Sequence, residues 1–218
     1  RVERMSGGKI EARHLTVQVK SGKKILTDVS LDIERCSFVG ILGGSGQGKS
    51  TMLNALCGIN PATDGNVYLN GQRLSDPKEL ATAGIGYVPQ DDIVHVEITV
   101  EQALRFSARL RLPDETPGAA IETLVDETID RLGLTEHRFK RISQLSGGQR
   151  KRVSIATELL AKPSVLFLDE PSSGLDPATE FQLMSLLRRL AAKDCTVVCT
   201  THVLARAYLF DQVTFVHG

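Results

Sequence analysis

Eight consecutive residues constrain this chain more than any others: Gly43-Gly44-Ser45-Gly46-Gln47-Gly48-Lys49-Ser50, which fit the spacing Gly-x-x-x-x-Gly-Lys-Ser/Thr. The apolar run Phe38 to Leu42 leads into them, and the helix-forming Thr51-Met-Leu-Asn-Ala-Leu follows. Strand, glycine-rich loop and helix in that order bring successive backbone N–H groups to one point, and the positive end of the helix adds to them. An anion fits there. Lys49 supplies a point charge for β and γ oxygens, and the Ser50 hydroxyl is a hard oxygen donor suited to Mg²⁺, so the spacing predicts a loop for the phosphate chain of a nucleotide.

The rest of the chain agrees with an α/β fold. Short apolar runs (Phe38 to Leu42, Val165 to Leu168, Thr196 to Thr200) alternate with helix-period segments (Ser50 to Cys57, Glu180 to Leu190), the pattern of a largely parallel sheet. Ile10 to Ile33 differs, since Leu15, Val17 and Val19, then Val29, Leu31 and Ile33, alternate around the turn signal Ser21-Gly22-Lys23 and predict antiparallel strands. Between about Asp91 and Lys162 the strand signal disappears. There Ile121, Leu124, Val125, Thr128, Ile129 and Leu132 recur on one helical stripe, and Thr99 with Gln102 predicts a capping box for a helix running to about Leu110. The prolines between Arg111 and Gly118 separate these two helices. The expected division is therefore an α/β core over 1–90 and 163–218, with a helical insertion over 91–162.

Composition excludes several classes. With 26 Lys+Arg against 26 Asp+Glu there is no net basic field for a nucleic-acid partner. No apolar run approaches the roughly 20 residues that cross a bilayer. Four cysteines in 218 residues, with no Cys-x-x-Cys pair, do not make a disulfide scaffold, and Cys195 and Cys199 flank a β-branched run that reads as a buried strand rather than a metal site.

Val165 to Leu168 ends in Asp169-Glu170. Adjacent strand residues point to opposite sides, so the two acids are expected to do different work: Asp169 to hold Mg²⁺ through water, Glu170 to accept a proton from the water in line with the γ-phosphate. Two acids at a strand end are ambiguous alone, because acids also cap helices. The phosphate loop gives them their meaning.

With these elements in place the chain resembles the nucleotide-binding domain of ATP-binding cassette (ABC) transporters along essentially its whole length. The most specific element is Leu145-Ser146-Gly147-Gly148-Gln149, which is similar to the family signature and is also a capped helix start. Tyr87-Val88-Pro89-Gln90 resembles the loop whose Gln touches Mg²⁺ and the attacking water; Ser173-Gly174-Leu175-Asp176 resembles the loop that reaches the other subunit; Thr200-Thr201-His202 resembles the γ-phosphate switch. The resemblance implies a P-loop NTPase core of the RecA type, an N-terminal antiparallel β subdomain and an inserted α-helical subdomain. It implies ATP and Mg²⁺ as cofactors, with Glu170, His202 and Gln90 catalytic. ATP would lie on Gly43, Gly44, Ser45, Gly46, Gln47, Gly48, Lys49, Ser50, Thr51, Gln90, Asp169 and His202, and Mg²⁺ on Ser50, Gln90 and Asp169. Ser146, Gly147, Gly148, Gln149 and Asp176 would act on the ATP of a second copy, in an ATP-dependent head-to-tail homodimer.

Two departures stand out. No Phe, Tyr or Trp precedes Phe38, so the adenine-stacking aromatic of the family is missing and Val19 stands at about its place. Gly44 replaces a common Pro, which loosens the turn and adds an N–H donor.

Gly86-Tyr-Val-Pro-Gln-Asp-Asp92, Leu104-Arg-Phe-Ser-Ala-Arg-Leu-Arg-Leu-Pro113 and Gly147-Gly-Gln-Arg-Lys-Arg-Val-Ser-Ile-Ala156 resemble the G or white type, an exporter branch with a type-two (ABC-2) membrane part. That implies a transport ATPase on the cytoplasmic face of a membrane. The alternative is a soluble ATPase of the same family. The 97 positions from Lys49 to Ser146 leave no room for the coiled coil of a repair protein of the SMC type, and a single cassette stands where a translation factor would carry two. A sensor that binds without hydrolysing is disfavoured by the presence of both Glu170 and His202. A start at Arg1, a linker-like Met5-Ser6-Gly-Gly-Lys and a strand ending near Gly218 suggest a piece of a longer chain with membrane helices beyond, contacted by Asp91 to Thr99.

Overall fold

A computed structural model describes residues 7–74 and 84–217. The linker-like residues 1–6 and the terminal Gly218 fall outside that range. Two sheets carry the fold. The first is antiparallel, in the order β2 (Lys24–Ile33), β1 (Ile10–Gln18), β4 (Asp64–Leu69), β5 (Gln72–Arg73); the second is parallel throughout, in the order β6 (Ile85–Val88), β7 (Val165–Leu168), β8 (Thr196–Thr201), β3 (Phe38–Leu42), β9 (Gln212–Phe215).

The parallel strands read as unbroken apolar runs because both faces are covered. Phe38, Leu166, Leu168, Val197 and Cys199 face the helices α4 (Gly147–Leu159) and α5 (Pro177–Lys193), while Val39, Ile41, Val165, Phe167 and Val198 face α1 (Lys49–Cys57) and the antiparallel sheet. Burial pushes the Cys195 thiol up to about 12, and the Cys199 thiol also rises. These are core side chains.

The alternation expected over Ile10 to Ile33 is interrupted in both strands. Ile10, Ala12 and Leu15 are the buried members of β1, with a step of three in its middle, where His14 adopts a left-handed conformation (φ 55°) and meets Asp28 (φ 53°) of β2. This bulge pushes the His14 carbonyl toward β4. A Cβ on Gly65 would lie 2.4 Å from that oxygen, so the opposing strand has glycine there.

Between β6 and β7 lie α2 (Val100–Arg111) and α3 (Gly118–Arg131), followed by α4. Both bonds of the Thr99–Gln102 capping box form, and Val125, Thr128, Ile129 and Leu132 are buried along the α3 stripe. Arg138 joins Glu101 of α2 to Asp126 of α3, and Arg105 joins Glu101 to Glu122.

Candidate phosphate site at the carboxyl ends of the parallel strands

In the parallel sheet Val88 lies beside Leu168, Leu168 beside Cys199, and Leu42 beside Thr201. The residues just after these positions therefore emerge along one edge, the usual place for a ligand in an open α/β sheet. β3 delivers the phosphate loop, β6 delivers Gln90, β7 delivers Asp169 and Glu170, and β8 delivers His202. This register brings together residues up to 159 positions apart, from Gly43 to His202.

Gly48 ends the loop with φ 97°, and a Cβ there would lie 2.9 Å from Ile25 Cγ2, so only glycine joins the loop to α1 without strain. Lys49 opens α1 and is 4% exposed. Its ammonium donates to the Gly44 carbonyl at 3.1 Å and pairs with Glu170 Oε1 at 3.1 Å. Glu170 Oε2 lies 3.5 Å from His202 Nδ1. Beside this line of charges runs a second one. Ser50 Oγ donates to Asp169 Oδ1 at 3.0 Å, and Thr200 Oγ1 donates to the same oxygen at 2.6 Å.

The two acids do not follow strand alternation. β7 ends at Leu168, and Glu170 is left-handed (φ 40°) rather than extended. A non-glycine residue held there stores strain of about 1–3 kcal/mol and needs support. Thr200 supplies it by accepting the Glu170 N–H at 2.7 Å. One buried hydroxyl thus fixes both acids, and the kink turns both toward the loop, Asp169 onto Ser50 and Glu170 onto Lys49. Burial, with the Asp169 charge behind it, pushes the Tyr87 phenol up to about 12.

The other predicted residues make their bonds to partners outside this cluster. Gln90 has an exposed side chain, while its carbonyl accepts Lys151 Nζ at 2.8 Å. Lys151 is buried in α4, also bonds the Pro89 carbonyl, and pairs with Asp92 at 2.8 Å; Ser154 Oγ donates to Asp92 at 3.0 Å. Ser146 caps α4 in a reciprocal box with Gln149, whose Nε2 meets His137 Nε2 at 3.0 Å. A Cβ on Gly148 would stand 2.3 Å from Thr179 Cγ2, so this glycine lets α4 and α5 approach. Asp176 caps α5 by accepting the Ala178 and Thr179 N–H groups; a hydrogen bond from the Thr179 side chain, together with these N–H groups, holds its carboxyl below the usual range. Val19 sits in the turn between β1 and β2, its N–H on the Lys23 carbonyl.

Sequence reasoning passed over the tie from Lys151 to Asp92 and the double role of Thr200. Lys151 carried a signal in hindsight, since a lysine on the packed side of a helix needs a partner. Thr200 carried none, because its partners are 30 and 31 residues away.

The ABC transporter family profile matches residues 26–173. The chain is 40% identical over 206 residues to the ABC transporter ATP-binding/permease protein Rv1747 of Mycobacterium tuberculosis, covering 94% of this chain and 24% of that protein. ABC transporter G family member 13 of Arabidopsis thaliana is 38% identical over 206 residues, covering 90% of this chain and 30% of its own. A putative ABC transporter ATP-binding protein of Listeria monocytogenes is 34% identical, covering 91% of this chain and 75% of its own. Among solved structures, cbiO1 from Clostridium perfringens superposes with a TM-score of 0.87 at 30% identity, covering 95% of this chain and 84% of its own. A dimeric, post-hydrolysis structure of the ATP-binding cassette MJ0796 bound to ADP and Pi superposes with a TM-score of 0.83 at 28% identity, covering 95% of this chain and 94% of its own. The chain belongs to the ABC transporter family, as one of its ATPase domains. Among the described residues no helix is long and apolar enough to cross a membrane.

Proposed function

We propose that the chain hydrolyses ATP to drive export across a membrane, through nucleotide-dependent closure of two copies head to tail. The observation that carries the reading is the convergence of Lys49, Ser50, Asp169, Glu170 and His202 at one sheet edge. Lys49 holds the β and γ oxygens. Glu170 accepts the proton of the attacking water, and His202 holds the carboxylate and senses the γ-phosphate from the other side. A bound phosphate chain competes with Glu170 for Lys49, so nucleotide entry releases the base that hydrolysis needs.

Mg²⁺ fits the donors present, because the Ser50 hydroxyl and the Asp169 carboxylate already share a hydrogen bond and both are hard oxygen ligands. Held by Ser50 and Asp169, Mg²⁺ would offset the negative charge of the phosphate chain. Gln90 would complete its ligands.

Ser146 and Asp176 cap the starts of α4 and α5 rather than bonding to the cluster, a placement that agrees with Ser146, Gly147, Gly148, Gln149 and Asp176 acting on the partner's nucleotide. Residues 91–162 would then move as one helical unit. The membrane part would dock in the groove of about 510 Å³ beside Gln90, lined by the exposed Ile93, Phe106 and Leu110. Lys151 and Asp92 link that groove to the signature helix. In this reading the chain works on the cytoplasmic face of the membrane. The export direction rests on the G-type sequence pattern and on the name of the Arabidopsis relative.

Light scattering on Glu170→Gln tests the reading. Mg-ATP should convert monomer to dimer, and Ser146→Arg should abolish the conversion. A stable dimer without nucleotide, or none with it, contradicts the proposal.

A further inference from the structure

We propose that Gln47 is a positioning residue for nucleotide binding: its side chain braces the phosphate loop across Gly44 and takes over the restraint that a proline at position 44 would supply. The inference rests on the reading of residues 43–51 as the ATP site.

Gly44 brings a freedom and a donor that proline lacks. The structure shows where both go. The Gly44 N–H donates to Gln47 Oε1, and the Gln47 N–H returns to the Gly44 carbonyl at 3.4 Å, so the two residues close a ring within the loop. The same Gly44 carbonyl accepts Lys49 Nζ at 3.1 Å. Holding Gly44 therefore also holds one anchor of the phosphate-binding ammonium.

The pair is sterically matched as well. A Cβ on Gly44 would meet three atoms of the Gln47 amide, Cδ at 3.2 Å, Oε1 at 3.3 Å and Nε2 at 3.4 Å, and these are its three nearest neighbours. The space beside Gly44 belongs to Gln47. A side chain at position 44 would press on the Gln47 amide and shift it by a few tenths of an ångström, so the two positions are coupled.

Gln47 could instead plug the site, by standing in for a phosphate oxygen. The geometry favours the brace. The N–H groups that converge on an anion are those nearest the helix start, and Gly44 is the second residue of the loop, on its β3 side. Ordering the loop before nucleotide arrives lowers the entropy cost of binding, and removing the brace should weaken binding.

Calorimetry with Mg-ADP, which is not turned over, decides between these on the purified protein. Gln47→Ala and the bulk-retaining Gln47→Leu should each weaken Mg-ADP roughly 3- to 10-fold, the range for one hydrogen bond. Gly44→Pro alone should also weaken it, through crowding of the amide. The double variant Gly44→Pro/Gln47→Ala should return to within about twofold of the parent, a non-additivity that general destabilisation does not produce. Unchanged or tighter binding by both Gln47 variants overturns the brace, and so does a double variant no better than Gln47→Ala. Lys49→Ala separates the two levels: if it binds like the parent, the phosphate-site reading fails; if it loses binding while the Gln47 variants do not, only the brace fails.

Discussion

Replacing Thr200 by Val keeps the shape and β propensity of a fully buried strand residue and deletes one hydroxyl. That hydroxyl donates to Asp169 at 2.6 Å and accepts the Glu170 N–H at 2.7 Å. Its loss costs a hydrogen bond to a carboxylate, worth about 1.5–3 kcal/mol, and leaves a partly buried N–H without its acceptor; together roughly 2–4 kcal/mol. For a chain of this size each kcal/mol moves Tm by about 2–4 °C, so Thr200→Val should melt roughly 4–16 °C below the parent. Function should suffer beyond stability. Glu170 is held left-handed by this bond, and without it the carboxylate is free to leave its place between Lys49 and His202. Turnover well below the melting range should fall by about tenfold or more, as expected when a general base loses its positioning. Thr200→Ser, which keeps the hydroxyl, should restore both properties. Calorimetric melting and steady-state phosphate release on the three proteins make the comparison. A valine variant that melts and turns over like the serine variant would refute the assignment.

Gly148→Ala should destabilise by about 1–3 kcal/mol through its clash with Thr179, and Thr179→Ser should relieve part of that cost, as thermal melts will show. Lys151→Met leaves Asp92 and the Gln90 carbonyl without their cation, so turnover should fall more than nucleotide affinity when kinetics and calorimetry are set side by side. Asp176 has a lowered carboxyl, so its stabilisation is present above its unfolded value near about 3.9 and is lost as pH falls through the folded one. The melting difference between the parent and Asp176→Ala should therefore shrink below about pH 4. Maleimide at pH 8 should leave Cys57, Cys195 and Cys199 unmodified in the folded protein, since all three are buried with raised thiols; mass spectrometry of the intact protein reads the count.

The parts of this fold that were legible in the sequence are those specified locally. The phosphate loop is contiguous, the Thr99 and Ser146 caps each close within three residues, and strands buried on both faces announce themselves as apolar runs. What was illegible depends on partners far along the chain. β4 opens with the polar Asp64-Gly65-Asn66 and β5 is only Gln72-Arg73, so β4 forms by pairing with β1 and β5 by pairing with β4, while the bulge at His14 answers Asp28 on the facing strand. The acids show the boundary well. Asp169-Glu170 after an apolar run is readable as a pair, but the turn that directs both toward the loop is set by Thr200, 30 residues away. Gln47 shows it within a single motif, since a position free to vary in the spacing rule holds the side chain that closes the loop.

The central claim is that Glu170 is the base of an ATPase assembled at this sheet edge. ATP binding and ATP turnover measured on one preparation of Glu170→Gln test it most directly. Glutamine preserves the size of the side chain and its hydrogen-bonding oxygen but cannot take a proton. The account predicts ATP binding within a few-fold of the parent and turnover lower by about 10²- to 10⁴-fold. Turnover within about threefold of the parent, with binding intact, would contradict it.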